Sequence, residues 1–302
     1  MPSNAKPRVI IVGGGLAGLA AAIRCARLGL APIVLEKRGY LGGRAFSFKD
    51  RETGVVIDNG QHVFLGAFTE YIQFLDDIGS KNLVHQQVRC EIPILYKGVT
   101  SSIGWSQIKA LGMVPSLLKY RHLRFSEKLR VIYGMFRIWL VKRIRESDAL
   151  QKQTFKRWLE QHGQTETVIQ NLWNLLTLPS LNDDIKYVSA YAGIMLFQTA
   201  MLSGPTNPTI GYSKVGLSTL TGSPASAYIQ SKGGEVHLNC EVRNLEFEAN
   251  RITSVQLADG SSVKADQFIV ATPHGTLANL IPKELFESWA NKLSLKFLAK
   301  TL

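Results

Sequence analysis

The sequence predicts an α/β fold carrying a largely helical inserted lobe, and three observations support that expectation. A β-rich run, Arg8 to Val12, passes through a glycine turn into an alanine-rich helix and then a second apolar strand, Pro32 to Glu36. Between Trp105 and Leu178 the apolar spacing becomes three or four residues, as at Leu129, Ile132, Phe136 and Leu140, which is the period of a helix. From Glu235 onward, short strands return. The 302 residues, 45% of them apolar, are enough for two packed cores.

Taken in order, the first turn is Gly13 to Gly18, followed by a helix from Leu19 to Leu28 that stops at Gly29. A second glycine loop, Gly39 to Gly43, precedes a hairpin turned at Thr53-Gly54 and the polar cluster Asp58-Asn59-Gly60-Gln61-His62. Phe68 to Ile78 reads as helix, Glu91 to Ile103 as short strands, and Gly204 to Gly211, rich in Pro, Gly and Asn, as a returning loop. Gly216 to Ile229 reads as helix. The strands Glu235–Leu238, Cys240–Phe247, Ile252–Leu257 and Ser262–Lys264 then turn at Asn250 and at Asp259-Gly260, before Gln267 to Ala271 ends at Thr272-Pro273.

The first turn carries chemistry. In Gly13-x-Gly15-x-x-Gly18, one missing side chain permits the tight turn, one lets backbone approach a pyrophosphate, and one lets helix and strand pack closely. Leu16 and Ala17 lie within that turn, ahead of the helix whose unpaired N–H groups and positive dipole end meet the phosphates. Glu36 ends the next strand, where a carboxylate accepts from both adenosine ribose hydroxyls. The unit therefore reads as the ADP-binding half of a Rossmann-type domain. Lys37 follows, and then Leu41-Gly42-Gly43-Arg44, in which paired glycines allow close approach. Arg44 either neutralises pyrophosphate, faces the ring system of the bound dinucleotide, or is simply solvated.

An acidic strand end followed by L-G-G-R resembles the FAD-dependent amine oxidase and phytoene desaturase superfamily, which implies FAD as cofactor. The stretches R-A-F-S-F, V-V-I-D-N-G-Q-H-V-F-L-G and W-N-L-L-T-L-P-S-L-N, with Gly216-Leu217-Ser218 and Gly233-Gly234-Glu235-Val236, resemble its hydroxysqualene dehydroxylase branch. That resemblance implies an FAD-binding domain discontinuous in sequence, 1–90 and 211–275, around a substrate and membrane-facing domain at 91–210. Residues 276–302 would begin a further substrate-domain segment. It also implies that the strand around Val242 lies against adenine and that the strand ending at Thr272 completes the sheet near the cofactor. Val242 reads equally well as a core valine. Gly60, Gln61 and His62 would sit beside the flavin.

The implied reaction is reductive dehydroxylation of a triterpene precursor, hydroxysqualene, to squalene for hopanoid synthesis. His62 is the candidate proton donor to the leaving hydroxyl with Asp58 orienting it, unless the polar cluster only shapes a turn. Phytoene desaturase-like or amine oxidase-like oxidation, and a noncatalytic truncated paralogue, are the alternatives. His274 reads as a loop residue. Relatives continue into a G-D motif and a glycine-rich helix, a pattern this sequence does not show before Leu302, so a separately encoded C-terminal portion is a further expected partner.

The net charge of +12 is concentrated. Residues 105–157 hold thirteen Lys and Arg against Glu127, Glu146 and Asp148, alternating with apolar residues. This suits a helix on anionic headgroups with its cations snorkelling, and also a plain solvated face. Nucleic acid is the unfavoured partner, because no recognition motif accompanies the charge. The N-terminus lacks the pattern of a signal peptide, and the best apolar run, Val131 to Val141, is broken by Arg137. Cys25, Cys90 and Cys240 are scattered with no metal-ligand spacing, so no metal is expected. The expected location is cytoplasmic, peripherally bound to membrane.

Overall fold

A computed structural model describes residues 6–106, 112–248 and 251–282. They form two compact units, one gathering the described residues of Met1–His62, Glu70–Val84 and Ser213–Leu302, the other those of Val63–Thr69 and His85–Tyr212.

The first unit starts with strand β1 (Arg8–Val12), helix α1 (Leu16–Arg27) and strand β2 (Ala31–Leu35), then a hairpin of β3 (Ser47–Lys49) and β4 (Val56–Asp58). The second unit supplies β5 (Val63–Leu65). Helix α2 (Thr69–Asp77) belongs mostly to the first, and β6 (Val84–Gln86), β7 (Glu91–Tyr96), β8 (Val99–Gly104), α3 (Val114–Lys119), α4 (Phe125–Leu140) and β9 (Ile210–Ser213) lead through the second. Back in the first unit, a helix at Ser223–Ser231 precedes β10 (Glu235–His237), β11 (Val242–Glu248), β12 (Arg251–Leu257), β13 (Ser262–Lys264) and β14 (Gln267–Val270).

The main sheet has the order β10-β2-β1-β14 and is parallel throughout. Its central strands are apolar on both faces because both faces are covered. Val9, Ile11 and Val34 pack with Leu19 and Ile23 of α1, with Phe74 and Leu75 of α2, and with Ile229. Ile10, Val12, Ile33 and Leu35 pack on the other side with Val242, Leu245 and Val255 of the antiparallel sheet β11-β12-β13. An ion pair at 2.6 Å, Arg27 to Asp77, joins α1 to α2.

Three expectations change. Helix α1 begins at Leu16, inside the glycine motif, because Gly18 packs directly on Gly13 and that contact outweighs the ~1 kcal/mol helix penalty of glycine. The returning loop at 204–211 ends in strand: β9 pairs with β5, Val63 opposite Tyr212, a long-range ladder that local composition does not reveal. His274 begins a helix, His274–Leu280, after Pro273. The turn expected at Asn250 and residues 283–302 lie outside the described residues.

The core of the second unit is built on Trp173, Phe155 and Phe197, with Trp173 and Phe197 ring centroids 4.8 Å apart. The β7-β8 hairpin turns on Lys97 and Gly98, both at positive φ. Among the described residues no helix is long and apolar enough to cross a membrane.

Candidate functional site

The site builds from the carboxyl end of β1. Gly13 has φ +106, and a Cβ there would stand 2.8 Å from the Ala271 carbonyl oxygen, beyond the end of β14. A Cβ on Gly18 would stand 1.9 Å from the Gly13 oxygen. Both glycines are thus demanded by the protein's own packing. Gly15 is different: its φ of −72 suits any residue, and a Cβ there finds nothing nearer than the Gly43 Cα at 3.9 Å. What the glycine leaves open is space above the start of α1. Gly15 is the N-cap of that helix, no side chain caps it, and no acidic residue stands in its first turn, which contains Leu16 and Ala17. Unpaired N–H groups at such an end attract anions.

The second glycine loop is laid directly on the first. The Gly42 N–H donates to the Gly14 oxygen at 2.8 Å, Gly15 and Gly42 form a parallel bridge, and a Cβ on Gly43 would stand 3.1 Å from the Gly15 Cα. Gly42 and Gly43 both take positive φ, +100 and +64. Glu36 locks the pair: its buried carboxylate accepts from Gly14 N–H at 2.6 Å and from Arg38 N–H at 2.9 Å. Each oxygen keeps a further lone pair for a hydroxyl donor. The Cys240 N–H donates to the Glu36 carbonyl at 2.9 Å, which brings the segment leading into Val242 to the same strand end. Val242 itself points its side chain into the core.

Thr272 supplies an unspent group. Its Oγ1 is buried and has no hydrogen-bond partner among the described residues, while its Cγ2 lies 3.6 Å from where a Gly13 Cβ would be. A buried hydroxyl without a partner costs about 1–3 kcal/mol, so a ligand that accepts from it recovers that cost. An open glycine, an uncapped helix end, a buried acid and an orphaned hydroxyl together suit a dinucleotide. Lys37 and Arg44 are exposed nearby in sequence, with no carboxylate in ion-pair range among the described residues.

The polar cluster divides. Asp58 Oδ1 accepts from Ser47 Oγ at 2.7 Å and from Leu217 N–H at 3.0 Å, and Ser47 N–H donates to Ser218 Oγ at 2.9 Å. This network clasps the β3-β4 hairpin to the segment that opens the next helix. Asp58 makes no hydrogen bond to His62, so the expected orienting contact is replaced by the Ser47 and Leu217 bonds. His62 is exposed, with Nδ1 2.7 Å from the Gly60 oxygen; that bond needs the proton on Nδ1 and leaves Nε2 without a hydrogen-bond partner among the described residues. Gly60 and Gln61 are exposed beside it.

Sequence reasoning missed Gly14, whose N–H is the one Glu36 takes and whose Cβ would stand 2.7 Å from Leu41 Cδ2. The run of three glycines was its only signal. It also missed Ser47 and the Leu217 N–H as the partners of Asp58, and Ser218 as the residue bonded to Ser47. Burial pushes the Cys25 and Cys240 thiols up, and burial with the Glu91 charge pushes Cys90 up to about 11, all in the direction that favours the protonated thiol over the reactive thiolate. Among the described residues no cluster of His, Cys, Asp and Glu could hold a metal.

The chain is 28% identical to a probable zeta-carotene desaturase of Synechococcus elongatus over 94% of its own length and 62% of that protein's. It is 25% identical to the 15-cis-phytoene desaturase of Arabidopsis thaliana over 93% of its length and 50% of that protein's. It thus spans roughly half to three-fifths of the length of these relatives. Among solved structures, an oxidoreductase from Methanosarcina mazei superposes with a TM-score of 0.66 at 16% identity, covering 97% of this chain and 65% of that one. Wild-type putrescine oxidase bound to putrescine gives 0.64 at 19%, covering 91% and 60%. At these identities the structures bear out the α/β fold. Residues 16–296 match the model of the flavin containing amine oxidoreductases, and the chain belongs to that family, with FAD as its cofactor.

Proposed function

We propose that the chain is an FAD-dependent oxidoreductase acting on a hydrophobic isoprenoid, and that its reaction is the reductive dehydroxylation of hydroxysqualene to squalene. The observation that carries the cofactor half is the stacked pair of glycine loops over an uncapped helix end. In this reading Gly13, Gly15, Leu16, Ala17 and Gly18 cradle the pyrophosphate, with Gly42, Gly43 and Arg44 closing over it. Glu36 takes the ribose hydroxyls, Lys37 flanks them, the backbone at Val242 meets the adenine, and Thr272 donates its buried hydroxyl. Two supports carry the substrate half: the D-N-G-Q-H cluster at Asp58 to His62, and relatives named for carotene and phytoene desaturation.

Bound FAD supplies reversible hydride transfer at an allylic carbon. The chain's own part is positioning and proton delivery. His62, with Nδ1 held by Gly60, presents Nε2 as the nitrogen that donates a proton to the departing hydroxyl when the ring is charged; Gly60 and Gln61 shape the same turn. Asp58 fixes the hairpin that carries the turn. A substrate of this kind is stored in lipid, so the protein works at a membrane surface.

The test is anaerobic incubation of the flavin-loaded chain with reduced flavin and hydroxysqualene, with extraction and mass analysis. Squalene as product supports the reading. Conversion of phytoene with oxidised flavin and no squalene would favour desaturation, the direction in which the desaturase relatives are named.

A further inference from the structure

Helix α4 is apolar on the side that should be polar. Val131, Gly134 and Ile138 face the core of the second unit, as the spacing of three and four requires. The opposite side of a surface helix ordinarily carries charged residues. Here it carries Phe125, Leu129, Phe136, Trp139 and Leu140, between 49% and 67% exposed, along a helix about 24 Å long. Contiguous exposed apolar surface of this kind marks a binding face.

The charges around it identify the occupant. Lys119, Arg124 and Lys128 stand at or before the amino-terminal end of α4, and Lys142, Arg143 and Arg145 follow its carboxyl end. No carboxylate lies within ion-pair distance of any of them among the described residues. A second copy docked on this face would bring the same uncompensated cations with it. An anionic bilayer compensates them and accepts the apolar side in its acyl layer, with the aromatic rings at the headgroup boundary.

Behind the same helix is a cavity of about 320 Å³, at the small end of ligand sites. Among the described residues its wall includes Met113, Leu117, Met135 and Leu172 and contains no hydroxyl, amide or ionisable side chain; its polar side-chain contribution is the buried Nε1 of Trp105, which has no hydrogen-bond partner among them. A ligand rich in polar groups would leave them unpaired there. Ile132, Phe136 and Trp139 line the cavity, and Phe136 and Trp139 also belong to the outward apolar side, so the cavity wall continues into the exposed face.

We propose that α4 is the element by which this chain lies in an anionic membrane surface, and that the cavity behind it receives a hydrocarbon chain from the bilayer past Phe136 and Trp139. The docking stands on the helix alone; the role of the cavity rests on the isoprenoid reading above.

The test uses the full chain and substrate-free vesicles. Wild type floats with mixed phosphatidylglycerol and phosphatidylcholine vesicles, weakly with phosphatidylcholine alone, and added salt weakens it. Phe136→Ser with Trp139→Ser lowers the partition coefficient roughly a hundredfold while the melt stays cooperative and shifts by only a few degrees, since both side chains, though they line the cavity, are more than half exposed. Lys142→Gln with Arg145→Gln lowers it about tenfold and flattens the salt dependence. Absence of wild-type flotation, or wild-type partition by the aromatic variant, overturns the docking. So does a wild-type dimer that the aromatic variant dissolves without any vesicle binding, which would assign the face to a second copy.

For the cavity, the probe is squalene carried in vesicles and extracted from re-isolated protein. Retention by wild type, lost when the cavity-lining Met135 is enlarged in Met135→Trp while flotation persists, supports the seat. No retention by wild type, or full retention by the variant, overturns it. Turnover of detergent-dispersed hydroxysqualene separates a failure of docking from a failure of the catalytic reading.

Discussion

The sharpest perturbation contrasts two glycines of one motif. At Gly18 an added methyl would stand 1.9 Å from the Gly13 oxygen, so Gly18→Ala must push β1 and α1 apart. Overpacking of that kind costs about 1–3 kcal/mol or more, several degrees in melting temperature for a domain of this size. At Gly15 the nearest atom to the new methyl is the Gly43 Cα at 3.9 Å, and φ is already −72. Alanine there loses a few tenths to about 1 kcal/mol as a poorer N-cap and regains about 0.4–1 kcal/mol by stiffening the unfolded chain. The fold should therefore be indifferent to Gly15→Ala.

The cofactor should not be. If pyrophosphate occupies the space above Gly15, the methyl intrudes on it, and an intrusion worth about 1–3 kcal/mol raises the FAD dissociation constant roughly 5- to 150-fold. The assay is flavin fluorescence quenching on apoprotein, beside thermal melts of both variants. An unchanged FAD affinity in Gly15→Ala, or a melt as low as that of Gly18→Ala, would refute the argument.

Thr272→Val removes the orphaned hydroxyl. The apoprotein should hold or gain up to about 1 kcal/mol in denaturant melts, while FAD affinity falls by roughly tenfold. Asp58→Ala cuts the bonds from Ser47 and Leu217 and should cost about 1–3 kcal/mol of stability, whereas exposed His62→Ala should stay within about 0.5 kcal/mol of wild type yet slow turnover. A stability loss in the His62 variant equal to that of Asp58 would undo this division. Cys90, raised to about 11, holds only about a thousandth of its thiol as thiolate at pH 8, so its alkylation in the native chain should be far slower than in denaturant and accelerate as pH rises toward that value. Rapid modification near neutral pH, read by mass spectrometry, would contradict the burial described.

What the sequence revealed was local. Gly13, Gly15, Gly18 and Glu36 lie within one β-α-β unit, and their spacing alone places them around one strand end. The pairing of β14 with β1 and of β10 with β2 joins residues more than 200 positions apart, and no local period encodes it. The stacking of Gly42 on Gly14 is equally non-local in origin, because it depends on how the loop after β2 folds back. Asp58 shows the limit for function. A carboxylate four residues before a histidine reads as its partner, yet Ser47 across the hairpin and the Leu217 N–H lie closer in space. The apolar outward side of α4 was half legible: the alternation of cations with apolar residues pointed to a surface helix, but only the buried side at Val131, Gly134 and Ile138 reveals that the large aromatics face out.

The most direct test of the cofactor site is the visible absorption spectrum of the purified chain, with released FAD measured against protein. The stacked glycine loops predict a flavin spectrum with FAD approaching one per chain, retained after desalting. A colourless protein that takes up no flavin on incubation with excess FAD would contradict the account.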